Sequence, residues 1–251
     1  MLIGTADPSA FEKDAPTIAA FGDASLEIPD CVFLQALCEI GSEPMCAMLP
    51  PALHPTLPPV ASWSAFEAAD SPFGPFRLAQ LRIECRSGLR PRGLLVGAVV
   101  DSEAAAHALA DRFGFRCTLG EVELARAYDA TRLTVVRGWR RLVELVLREP
   151  VRLGETDTQF VSSLHPAQTP KGFRLVQVDL EHAVKRAERG RLEIVAFDAA
   201  GWGEERIRPT LALPGVVGRA DLSIRPIRFV CRVDVLAFHG TEAVSGGAEA
   251  R

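Results

Sequence analysis

The sequence predicts a single, mainly antiparallel β domain (α+β class) with few short helices. Three observations carry this. Apolar runs with two-residue alternation recur throughout, turn signals separate them about every 8–12 residues, and only one stretch carries a full set of helix signals. With 251 residues, 48% hydrophobic and 24% charged, the chain can bury one sizeable core.

Residues 1–28 are mixed polar and small, with Pro8 and Pro16, and read as an arm; 29–239 read as the domain. CVFLQALCEI (31–40) reads as a strand. Pro44, Pro50, Pro51, Pro55, Pro58 and Pro59 then break the chain, since each removes a backbone donor and restricts its predecessor. That leaves room for one helical turn around 42–49. VASWSAFEA (60–68), FRLAQLRIECR (76–86) and GLLVGAVVD (93–101) read as strands divided by SPFGP and SGLRPRG. SEAAAHALADRFG (102–114) is the clear helix, with Ser102 as N-cap and Gly114 as its stop. Alternating strands follow to Phe197, and ADLSIRPIRFVCRVDVLAF (220–238) closes the domain as one long or two short strands. The tail from Gly240 is small and polar and reads as disordered.

A net charge of -4 gives no basic face for nucleic acid. The N-terminus lacks the basic-then-apolar pattern of a secretory signal, and no run of about 18 apolar residues could span a membrane. Six scattered cysteines without a CxxC pair read as reduced thiols of a cytoplasmic protein and suggest no metal site. There is no P-loop, and GVVG (215–218) is too short for a dinucleotide fingerprint, so no cofactor is expected. Of the 28 basic residues only Lys13, Lys171 and Lys185 are lysines, so amine chemistry has three possible seats.

The segment GLLVGAVVD-SEAAAHALADRFGFRCTLG (93–120) resembles a stretch of the acetoacetate decarboxylases: an apolar strand ending in Asp, a short helix, then a Pro-Lys-Lys-Leu-Gly motif. MLPPALHPTLPPVASW (48–63) is similar to the family's proline-marked lead into a strand, and SPFGPF (71–76) to its SPYGPY-type turn. SSLHPAQTPKGFRLVQV (162–178) and LPGVVGRADLSIRPIRFVCRVDV (213–235) look like its later strands, so the resemblance spans roughly residues 30–238. It implies a β-cone or barrel enclosing a ligand cavity, a small-molecule substrate and a homo-oligomer.

The family's chemistry needs a lysine amine, neutral near pH 7, that attacks a ketone to form an imine. Here the motif reads GFRCTLG. Arg116 stands at the proline, Cys117 at the nucleophilic lysine and Thr118 at the second lysine. Neither Cys nor Thr forms a stable iminium, so decarboxylation of acetoacetate is not expected. Extended upstream without gaps, the resemblance puts the family's substrate-side arginine on Cys31 and its two pocket carboxylates on Trp63 and Leu78.

Each candidate carries two readings. Cys117 is either a nucleophile activated by Arg116 or a buried remnant; Arg116 either clamps a carboxylate or enolate or pairs at the surface. Glu84, in LRIECR, is either a pocket acid with a raised pKa or a solvated strand residue, and His165 and Glu67 divide the same way. Trp63 offers either a ligand-stacking indole or core packing. The expected function is an imine-independent enzyme acting on a small carbonyl or polyketide-like metabolite. It would be a cyclase, isomerase, dehydratase or lyase of secondary metabolism, with Arg116, Thr118, Glu84 and Cys117 as catalytic candidates. Trp63, Leu78, Cys31, Phe115 and His165 would line the substrate. The alternatives are a non-catalytic small-molecule-binding protein, or a decarboxylase or aldolase with its lysine relocated to Lys171 or Lys185.

Overall fold

The computed structural model describes residues 2–154 and 157–244. One mixed sheet of sixteen strands dominates it. The strands are β1 (Leu26–Glu39), β2 (His54–Pro55), β3 (Val60–Ala68), β4 (Phe76–Ser87), β5 (Arg90–Val100), β6 (Cys117–Leu119), β7 (Glu121–Arg126) and β8 (Ala130–Arg137). They continue as β9 (Arg140–Leu153), β10 (Ser163–Thr169), β11 (Gly172–Val178), β12 (Leu180–Phe197), β13 (Leu211–Ala212), β14 (Gly215–Ile224), β15 (Phe229–Cys231) and β16 (Thr241–Ala243). Four short helices, α1 (Ser42–Met48), α2 (Glu103–Phe113), α3 (Ala199–Trp202) and α4 (Ala237–Gly240), fill the connections. No described helix is long and apolar enough to cross a membrane.

The order is β16-β15-β11-β10-β5-β4-β3-β1-β14-β12-β9-β8-β7. The two outer strands, β16 and β7, do not pair with each other, so the expected barrel is instead an open sheet that curls over both of its faces. Over one face, β7, β8, β9 and β12 fold back onto β3, β4 and β5, burying Leu133, Val135, Leu142 and Leu145 with Trp63, Leu81 and Ile83. Over the other, β10, β11, β15 and α2 enclose Phe66, Leu78, Leu109, Phe113, Phe115 and Val176. The central strands are therefore covered on both sides and read as near-continuous apolar runs.

The helix read at 102–114 is present as Glu103–Phe113. Ser102 Oγ accepts from the Ala105 N–H, and Gly114 ends the helix at φ +71°, where a Cβ would be strained. The last strand read over 220–238 is divided instead. β14 stops at Ile224, Pro226 cannot donate to a ladder, and only Phe229–Cys231 pairs again. Residues 241–243, read as disordered tail, form β16 on the edge of β15, because a short polar segment can still pair its backbone. Residues 245–251 of that tail lie outside the described residues. The arm is seated too: Ile18 is buried, and Thr17 bridges to Gln168.

Candidate functional site

β4 runs down the middle of the sheet, and two-residue alternation sends its side chains to opposite faces. Ala79, Leu81, Ile83 and Cys85 join the first apolar cluster. Leu78, Gln80, Arg82 and Glu84 enter the second curl, where the face changes along the strand from apolar to polar. All four are buried. Gln80 lies in a cross-strand row with Ser64 of β3 and Ala98 of β5, and Gln35 of β1 stands opposite Ser64.

Arg82, 2% exposed, donates through Nη1 to Val161 O (3.0 Å) and Ser163 Oγ (3.3 Å). Among the described residues no carboxylate lies within ion-pairing distance of it, and its Nε has no partner. Space for this side chain comes from Gly93 across the ladder, where a Cβ would sit 3.0 Å from Arg82 Cδ. Glu84 accepts a hydrogen bond from Ser62 Oγ on β3. Burial pushes its carboxyl above the ordinary range, while the Arg82 charge and the Ser62 hydroxyl pull the other way.

Two imidazoles complete the cluster. His165, two residues after Ser163 on β10, sets its ring edge-on to Phe115 at 4.0 Å. Burial lowers it to about 3, with the Arg82 charge adding and the nearby Gly114 and Phe113 backbone opposing, although neither ring nitrogen reaches hydrogen-bond geometry. His182 of β12 stacks on Phe160 at 3.6 Å, and burial followed by Arg82 lowers it to about 4. Both rings are neutral at physiological pH. Among the described residues, both amide atoms of Gln80, Arg82 Nε, both ring nitrogens of His165 and Nδ1 of His182 are buried without a hydrogen-bond partner. Buried polar groups are nearly always paired, so this concentration of unpaired atoms around one guanidinium singles the cluster out as the candidate polar site. A fixed cation, a carboxyl held above its ordinary range and neutral imidazoles can hold an oxyanion and move a proton beside it.

The residues read from sequence divide among three places. Cys31, Leu78, Phe115 and Cys117 pack in or against the second apolar cluster, the same one that borders this polar patch. Trp63 is on the other face: it opposes Leu81, whereas Leu78 opposes Phe66, so the two cannot form one wall. The Trp63 ring instead meets Phe197 edge-on at 5.2 Å. Arg116 points outward to Asp14 at 3.1 Å, and Thr118 donates to Ala98 O. The thiol of Cys117 is pushed up to about 12 by burial, as is that of Cys31, so neither is a thiolate and the Arg116 guanidinium does not activate Cys117. Glu67 pairs with Arg77 at 2.7 Å. Lys13 is exposed, Lys171 pairs with Glu242, and Lys185 pairs with Asp30 and Asp221, all at the surface, so no lysine reaches the interior cluster. No group of three His, Cys, Asp or Glu able to hold a metal occurs among the described residues. Gln80 and Arg82 escaped the sequence reading, although their even spacing with Glu84 on one strand was the available signal.

This topology of one long, open, curled sheet is the acetoacetate-decarboxylase-like fold. Among solved structures the chain is similar to acetoacetate decarboxylase from Legionella pneumophila, with a TM-score of 0.69 and 16% identity over 82% of this chain and 87% of that one. It is also similar to the enduracididine biosynthesis enzyme MppR complexed with pyruvate (TM-score 0.67, 14% identity, 88% and 91% covered). A third is an acetoacetate decarboxylase-like enzyme from Sphingomonas wittichii RW1 (0.62, 18%, 82% and 92%). At these identities the likeness is one of fold. No family model and no curated protein matches the chain.

Proposed function

We propose that the protein is an enzyme acting on a small carbonyl-bearing metabolite by proton transfer, without an imine. The reaction class is isomerisation, dehydration, cyclisation or a related lyase step. The observation that carries this reading is the buried trio on β4: Arg82 with an unpaired Nε, Gln80 with an unpaired amide, and Glu84 with a carboxyl held above its ordinary range. In this reading Arg82 and Gln80 hold the carbonyl or enolate oxygen, and Glu84 exchanges a proton with the adjacent carbon. Ser62 orients Glu84, and His165 is a neutral wall with an acceptor nitrogen. The fold neighbours include enzymes whose ligands carry carbonyl groups, such as the pyruvate bound to MppR.

Proton exchange can be read without knowing the full reaction. In D2O, the methyl protons of pyruvate and the α-protons of longer 2-oxo acids are followed by NMR with catalytic protein. Wild type accelerates exchange of at least one of them, and Glu84→Gln loses about 10²–10⁴ of that acceleration. Equal exchange in wild type and Glu84→Gln contradicts the assignment.

The second reading, a non-catalytic binding protein, draws on the close apolar packing around Cys31, Leu78 and Cys117, which fills the positions where the resemblance places catalytic groups. Binding of a 2-oxo acid that survives Glu84→Gln, with no exchange across the panel, selects it.

A further inference from the structure

Arg116 and Thr118 take no part in the interior cluster, yet they share a cleft elsewhere. It lies between β5 and α3, has a volume of about 180 Å3, and is lined by Gly97, Arg116, Thr118, Arg137 and Trp202 among others. Among the described residues its only charged lining side chains are the two arginines, and the nearby carboxylates of Asp14 and Asp198 are engaged by Arg116 and Arg140. The neighbours of Arg137 show the contrast. Arg140 pairs with Asp198 and Arg141 with Glu144, whereas the Arg137 guanidinium has no carboxylate partner among the described residues. Arg116 spends one nitrogen on Asp14 at 3.1 Å and keeps its other donors.

The cleft is rigidly made. Gly97 lets the chain of α3 come close, since a Cβ there would lie 3.0 Å from Trp202 O. The Trp202 indole is fixed by its Nε1 donating to Leu142 O at 3.2 Å. Thr118 Oγ1 donates its proton to Ala98 O at 3.1 Å, so its oxygen still accepts but has no proton left for an anion. Recognition in the cleft is therefore left to the two guanidinium forks, whose planar donor arrays match tetrahedral oxyanions.

We propose that this cleft binds a phosphate group, its two negative charges set between Arg116 and Arg137. The group belongs either to free phosphate or to a small phosphate monoester. The unpaired Arg137 guanidinium and the free donors of Arg116 give the lining a positive character that suits a phosphate, and the volume admits one with a short substituent.

The test is calorimetric titration of the full chain at constant ionic strength with inorganic phosphate, glycerol 3-phosphate and acetate. The expected result is saturable one-to-one binding of at least one phosphate compound, weakened at least about tenfold in Arg137→Gln and in Arg116→Gln. The exposed control Arg152→Gln leaves it unchanged. Tighter binding of the monoester assigns the site to a phosphorylated metabolite, and equal or weaker binding assigns it to phosphate itself. No saturable binding, binding indifferent to Arg137→Gln, or acetate binding as tightly as phosphate would each overturn the proposal. Thermal unfolding of the variants, expected to match wild type because both side chains lie at the surface, separates lost binding from lost folding.

Discussion

Arg82 and Glu84 stand two positions apart on the same buried face of β4, but they do not form an ion pair. The guanidinium reaches to Val161 O and Ser163 Oγ, and the carboxyl reaches to Ser62. A directly paired Arg–Glu couple would be electrically closed. Held apart, the cation remains available to an oxyanion while the carboxyl, short of compensation, keeps its proton to a higher pH. The proposed chemistry rests on that separation.

Ser62 is predicted to act through Glu84. Ser62→Ala removes the hydroxyl that the buried carboxyl depends on and leaves it unsatisfied, costing about 1–3 kcal/mol in denaturant unfolding. Because that hydroxyl favours the charged form, the same change raises the Glu84 carboxyl further. The pH profile of proton exchange then shifts upward, an effect that a purely structural loss would not produce.

Stability should carry two pH signatures of opposite sign. His165 is held at about 3 and His182 at about 4, against an ordinary 6.5. Between those values the unfolded chain binds protons that the folded one does not. Their contribution is therefore complete above 6.5 and is lost as pH falls. His165→Phe flattens this acid limb by about 1.4 kcal/mol per pH unit in urea unfolding. Glu84 runs the other way. Above its unfolded value of 4.5 the folded state retains a proton the unfolded state has released, so its contribution falls as pH rises towards the raised folded value. Glu84→Gln should thus gain stability relative to wild type at about pH 8 and less at about pH 5.

Gly93 is predicted to be a positioning residue for the guanidinium. An alanine Cβ would lie 3.0 Å from Arg82 Cδ and 3.2 Å from Nε, so the side chain must move. Gly93→Ala costs about 1–3 kcal/mol by overpacking. It also raises KM for an oxo acid more than it lowers kcat if Arg82 anchors the substrate, and that split is read by steady-state kinetics.

Borohydride reduction in the presence of pyruvate or acetoacetate should leave the intact mass unchanged. Lys171 and Lys185 sit in surface ion pairs and Lys13 is exposed, and none has the apolar surroundings that free an amine to attack a ketone. A stable adduct of one reduced imine would restore the relocated-lysine reading.

Much of this was legible in the chain, and the exceptions share a cause. The capped helix from Ser102 to Gly114 and the strands at 60–68 and 76–86 follow from local chemistry: a cap, a left-handed stop, alternation and intervening turns. What sequence could not supply was which face of a strand meets which neighbour. Trp63 and Leu78 look equivalent in a linear comparison, yet register sends them to opposite sides of the sheet. The burial of Arg82 could not be read from its strand, because nothing local shows that β10, β11 and the segment before them close over it. The open edges at β7 and β16 escaped for the same reason, since closure of a sheet is decided by distant strands rather than by any one of them.

The most direct test of the central claim is the titration of Glu84 itself, by carbon-13 NMR of labelled glutamate side chains, assigned by difference with Glu84→Gln. A carboxyl that remains protonated clearly above the ordinary value of 4.5, and that drops when an oxo acid analogue is displaced from the site, is the predicted result. A Glu84 that titrates at or below 4.5 would show a carboxylate stabilised in its charged form, a structural partner of Arg82 and not a carrier of protons, and the enzymatic reading built on β4 would fall with it.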